Sequence, residues 1–260
     1  MKIRLLLTLL LLSLTLTACG AGDVPAEEPD PPQIVQPEEE QPPETAPPDA
    51  PEDSAPPPLE GTPLTAEELT QVNEAFNCYG SPDNDKALEL ACFFTSSYED
   101  VTELDFEAFL RYYFNGSSDM EDGDAEEFRA LAALPDFPWD KEDLERWGNV
   151  PSGLPVPVHR ISKAAVDRTL ETYAGITTAD LKNTNGILYL EDYDSYYNFT
   201  SDYGPGWFEA AEGVRDGDTV RLRSEPAWGD GGEVIKELTL REEGGRWLIR
   251  SLTSYPVEDG

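Results

Sequence analysis

Three cysteines, one histidine and 53 carboxylates are the reactive side chains of this 260-residue chain. A thiol becomes a nucleophile when a base sits beside it, and Cys78 or Cys92 with His159 is the pairing on offer. Neither cysteine lies in a recognisable catalytic setting, and Pro157-Val158-His159-Arg160 reads as a structural segment. No Gly-x-Ser-x-Gly and no Ser-x-x-Lys occurs. A single His excludes a paired-His zinc centre. The acidic run Asp119-Met120-Glu121-Asp122-Gly123-Asp124 looks like a calcium loop. With Gly123 at its sixth position, however, Met120 and Arg129 fall where ligands are needed, so it is not an EF-hand. No metal and no other cofactor is expected. Two carboxylates suffice for glycoside hydrolysis, but with acids this abundant the sequence singles out no pair.

The most distinctive stretch runs from Tyr193 to Phe208, with seven aromatics in 16 residues. As a strand it places Tyr193, Ser195, Tyr197 and Phe199 on one face and Asp194, Tyr196 and Asn198 on the other. The first face is apolar enough for a core. The second sets a ring beside hydrogen-bonding groups, a composition that suits sugar rings and protein interfaces. Gly204-Pro205-Gly206 then holds Asp202, Tyr203 and Trp207 on a loop. The expected binding surface is Tyr196, Asp202, Tyr203 and Trp207.

Short helices must position these residues in the first half of the domain. Thr65 and Glu68 form a capping box, with Leu64 and Leu69 as hydrophobic staple. A second helix is expected over 85–97, a third from Asp105 to Asn115-Gly116, and a fourth over 125–133. Ser162 caps a helix that stops at Gly175. The period then switches to strands at 187–190, 193–199, 219–224, 234–241 and 246–253. Trp247, Ile249 and Ser251 are expected to share a face. The fold class is α+β, with short helices in the N-terminal half and an antiparallel sheet in the C-terminal half. The last hairpin, turning at Glu242-Glu243-Gly244-Gly245, resembles the end of NTF2-like domains. That resemblance implies a curved sheet enclosing a small-ligand pocket under helices.

Upstream, Lys2 and Arg4 precede an apolar run that ends at Leu16-Thr17-Ala18-Cys19, the pattern of a secretory signal. The tetrapeptide resembles the lipobox of bacterial lipoproteins. The resemblance implies that residues 1–18 are removed, that Cys19 becomes the acylated first residue, and that the chain is held on the outer side of the cell membrane. Buried acyl chains contribute about 0.8 kcal/mol per CH₂, so several chains anchor stably. Residues 19–63 read as a disordered stalk: Gly20–Pro63 holds 14 Pro and 12 acids, with no basic or aromatic residue. Residues 64–260 then form one domain. In that compartment Cys78 and Cys92 could close a disulfide between two helices, or remain two buried thiols.

The net charge of −35 excludes sequence-independent nucleic-acid binding, which needs cations against phosphates. These observations lead to the expectation of a membrane-anchored, non-catalytic module contacting an envelope protein, peptide or glycan. A carboxylate-dependent glycan-active enzyme and an NTF2-like small-ligand pocket are the alternatives. The lipobox predicts that mass spectrometry of the mature protein finds an acylated N-terminal Cys19, and that Cys19→Ala releases the chain from membranes. An unmodified Cys19 in the native host would contradict it.

Overall fold

The computed structural model describes residues 56–76, 84–113, 116–200, 206–229 and 232–257, within the unit Ala50–Gly260. Helix α1 (Ala66–Phe76) begins at the expected capping box. Thr65 Oγ1 accepts from the Glu68 amide at 3.2 Å, and Glu68 Oε2 accepts from the Thr65 amide at 2.8 Å. Its buried face carries Val72 and Phe76. Helix α2 (Asn84–Phe93) follows, then α3 (Phe106–Arg111), whose Asp105 cap accepts from the Ala108 amide at 2.9 Å. Helices α4 (Ala125–Ala132), α5 (Lys141–Arg146) and α6 (Lys163–Tyr173) complete the set of described α-helices.

Three of these elements differ from expectation, the first being α2, which ends at Phe93 and does not run to Ser97. Helix α3 stops well before Asn115 because Tyr113 is drawn into the core. Its ring stacks on Phe109 at 5.6 Å and its hydroxyl bonds Thr169 of α6 at 2.9 Å. Helix α5 is new. Asp140, which follows Pro138-Trp139, caps it by accepting from the Asp143 amide at 2.9 Å.

The strands form two antiparallel sheets where one was expected. The larger orders β1 (Thr62–Pro63), β6 (Glu212–Asp216), β7 (Thr219–Arg223), β9 (Gly232–Glu243) and β10 (Arg246–Pro256) side by side. A short β8 (Ala227–Gly229) also pairs with β9. The smaller orders β2 (Ser117–Asp119), β3 (Val158–Ser162), β5 (Ser195–Phe199) and β4 (Leu188–Leu190). The β9–β10 hairpin turns where the sequence predicts, but its pairing shifts between Ile249 and Ser251. The extra residue reverses the alternation. Leu252, not Ser251, therefore joins Ile249 in the core opposite Leu238 and Leu240.

The smaller sheet is a partition. Ile161 and Tyr196 face the main core, which α1, α2, α3 and α6 build against Val220, Leu222, Leu238 and Leu240 of the larger sheet. Val158, Leu188 and Tyr197 face a second core closed by Phe128 and Leu131 of α4 and Leu144 of α5. Both faces are covered, so any charge brought there must be paired.

Arg160 of β3 and Glu127 of α4 make that pair. The guanidinium grips both carboxylate oxygens, while the Tyr197 hydroxyl donates to Glu127 and Asp124 lies 3.2 Å from Arg160. Glu127 is only 6% exposed, so this pair is far from a surface ion pair. Hydrogen bonding to Glu127 raises the Arg160 pKa further, and burial together with the adjacent carboxylate pushes the Tyr197 phenol up.

Residues 56–63 were assigned to the stalk from composition, but they lie against the domain. Thr62–Pro63 pair with β6, Arg221 donates to the Glu60 carbonyl at 2.7 Å, and Arg223 donates to the Pro57 carbonyl at 2.6 Å. The folded part thus begins before Leu64.

Glu127 is buried, whereas Arg160 is 27% exposed and keeps Asp124, so removing Glu127 loses charge-assisted hydrogen bonds worth about 1.5–3 kcal/mol. Glu127→Ala should cost that much in urea unfolding. Tyr197→Phe, which deletes one hydrogen bond, should cost about 1 kcal/mol. Equal costs for the two variants would show that the ion pair does not hold the partition.

Candidate functional site

Two concavities lie on either side of α3, and each takes one end of the Tyr193–Phe208 segment. The first is a cleft of about 570 Å³ walled by Trp139 and Phe199. Their rings meet edge to face at 4.7 Å, with Phe137 5.6 Å from Trp139 and Trp147 5.8 Å from it. Mutually perpendicular rings fix one another's rotamers, so this wall is stiff. Glu107 and Arg111 of α3 and Asp136 before the wall supply charge. Glu107 pairs with Arg111 at 3.1 Å.

Asn198 lies at the inner side of the cleft. Its Nδ2 donates to the Leu110 carbonyl, which orients the amide, and its buried Oδ1 has no hydrogen-bond partner. His159 steadies the neighbouring backbone: its ring nitrogens lie 2.7 Å from Asp119 Oδ1 and 3.0 Å from the carbonyl oxygen of Thr200, which lines the cleft. The lone histidine thus ties the end of β5 to β3 and β2, as the structural reading expects.

The second concavity is a groove of about 540 Å³ with Trp207 and Trp228 among its walls. Trp207 is set by its backbone. A Cβ on Gly206 would lie 1.7 Å from the Phe94 carbonyl oxygen, so only glycine permits this approach. Lys236 donates to the Trp207 carbonyl at 3.1 Å, and Phe208 packs on Phe94 at 5.9 Å. Trp228, on the three-residue strand β8, is 83% exposed. Thr95, Ser97 and Ser254 line the groove, the Thr95 hydroxyl donating to the Cys92 carbonyl and the two serine hydroxyls bonding each other, and Ser96 Oγ is buried beside it without a partner. Arg111 lines both concavities.

Of the residues expected to bind, Trp207 is half-buried in the groove wall. Tyr196 is not at the surface. It is 8% exposed, edge-on to Phe106 at 5.2 Å and against Tyr189 at 4.9 Å. An exposed face was expected for its strand, but the partition buries both. Asp202 and Tyr203 lie outside the described residues, as do Cys19 and Cys78. Cys92 is buried, with its thiol 3.2 Å from the Leu88 carbonyl oxygen. No group of three or more His, Cys, Asp or Glu able to hold a metal ion occurs among the described residues.

Trp139, Phe199, Arg111 and Trp228 were not singled out by sequence reasoning. Trp139 directly follows Pro138, the local signal of an aromatic held on a loop, whereas Trp228, two residues after Pro226, stands on β8. Compared with family models, curated proteins and solved structures, the chain matches none.

Proposed function

We propose that the chain is a lipid-anchored extracytoplasmic lipoprotein whose domain holds an envelope ligand in the cleft beside α3. The observation that carries this reading is the cleft itself, an aromatic wall facing a small set of oriented polar groups. Ligand sites are concave and largely apolar, with a few convergent polar atoms that fix orientation. Trp139 and Phe199 provide the first feature, and Asn198, Asp136 and Arg111 the second. The lipobox ending at Cys19 supports the placement, and the Pro-rich stretch after it supports a spacer. Among the described residues no helix is long and apolar enough to cross a membrane.

A second reading has an observation of its own. Glu107 and Asp136 line one cleft, so a carboxylate-dependent glycan-active enzyme has two acids at hand. Hydrolysis of a bound glycan, abolished by Glu107→Gln and by Asp136→Asn, would favour it over simple binding.

The binding reading is tested with the full chain and a panel of saccharides and peptides, followed by tryptophan fluorescence. Trp139→Ala should weaken binding by about tenfold to a hundredfold while circular dichroism stays unchanged, since central aromatics dominate binding energy. Unchanged binding by a folded Trp139→Ala variant would contradict the assignment.

A further inference from the structure

The cleft and the groove share Arg111, and both are lined by α3, six residues long. Glu107 and Leu110 turn to one side of that helix, and Ala108 and Tyr112 to the other. Trp228, which also lines the groove, is 83% exposed. A ring exposed to this degree is open to stacking by a ligand lying in the groove. We infer that the two concavities are subsites of one site, and that its ligand is a linear, uncharged glycan laid across α3. One stretch of that glycan rests on Trp139 and Phe199, the other on Trp207 and Trp228. This rests on the binding reading above.

The chemistry of the walls selects the ligand class. A pyranose ring offers a flat C–H face and a rim of hydroxyls. The face gains dispersion contacts over an indole, and the rim donates and accepts around it. Carboxylate acceptors line the cleft at Asp136 and at Glu107, which also holds Arg111. The groove offers hydroxyl oxygens at Thr95, which donates to the Cys92 carbonyl, and at Ser97 and Ser254, which bond each other. Two of the buried polar atoms left without partners, Asn198 Oδ1 and Ser96 Oγ, border these same two concavities. Unsatisfied buried groups call for a specific explanation, and completion of their bonding by a ligand or its waters provides one.

Charge and backbone argue against the other classes. A net charge of −35 repels a polyanion. An extended peptide would seek free backbone groups, but the carbonyls nearest α3 are taken. Leu110 accepts from Asn198, and Phe94 and Trp207 accept from Lys236.

Isothermal titration of the full chain with β-1,4-linked glucose and N-acetylglucosamine oligomers, of two and of six units, decides the matter. Linked subsites make the second contact intramolecular, so a hexamer should bind at least tenfold more tightly than its dimer. Trp228→Ala, an exposed substitution that leaves the core intact, should abolish this length advantage, and Arg111→Ala should reduce it. Equal affinity for dimer and hexamer, with Trp228→Ala silent and Trp139→Ala damaging, would overturn the bridged site but leave the cleft as a binding site. Binding of a peptide from the panel with no binding of either hexamer would overturn the glycan assignment. No binding by any probe would remove both readings.

Discussion

A sheet with a hydrophobic core packed against each face governs this domain. The four strands β2, β3, β5 and β4 separate two hydrophobic cores, so a polar side chain on either face must find its partner inside the protein. Glu127 and Arg160 meet that demand together, with Tyr197 and Asp124 completing the cluster. The consequence is positional. Helix α4 is fastened to the partition by its own buried carboxylate, and the chain leaving α4 runs through Phe137 to Trp139, whose ring meets Phe199 of β5. The cleft wall is therefore positioned through α4 by the pairing of the buried Glu127 with Arg160.

The groove owes its shape to a different device. Gly206 lets two backbones approach, Lys236 joins the Phe94 and Trp207 carbonyls, and Phe208 seats on Phe94. Trp207 is presented by main chain that cannot easily move. Preorganisation of this kind would lower the entropy lost on binding under the proposed function. His159 adds a third fixed point where β5 ends at the cleft. Upstream of the first helix, residues 56–63 lie on the larger sheet, where Arg221 and Arg223 hold the Glu60 and Pro57 carbonyls.

Local signals in the sequence were reliable where one or two residues decide an element. The Thr65–Glu68 box, the Asp105 cap, the Gly175 stop at φ +69° and the Gly244-Gly245 turn all stand where their chemistry puts them. Features that depend on distant partners were not legible. Alternation in β5 shows two faces but not that both are covered, so Tyr196 was assigned to a surface. The reversal at Ser251 comes from one extra residue in a ladder, which composition does not reveal. Residues 56–63 look like spacer because their attachment uses backbone carbonyls, and those leave no trace in side-chain identity. The candidate site was half legible: the aromatic segment and Trp207 were singled out, while Trp139 and Trp228 reach the site from elsewhere in the chain.

Five tryptophans, Trp139, Trp147, Trp207, Trp228 and Trp247, give five indole N–H signals through which the site can be watched in solution. Trp139 and Trp228 stand on opposite sides of α3, and Trp247 is partly buried against the main core. The most direct measurement is a ¹⁵N-correlated spectrum of the full chain titrated with a neutral β-1,4-linked hexasaccharide. A single site spanning α3 predicts that the Trp139 and Trp228 signals shift together along one saturation curve while Trp247 stays still. Shifts confined to one of the two, or following two separate curves, would contradict it.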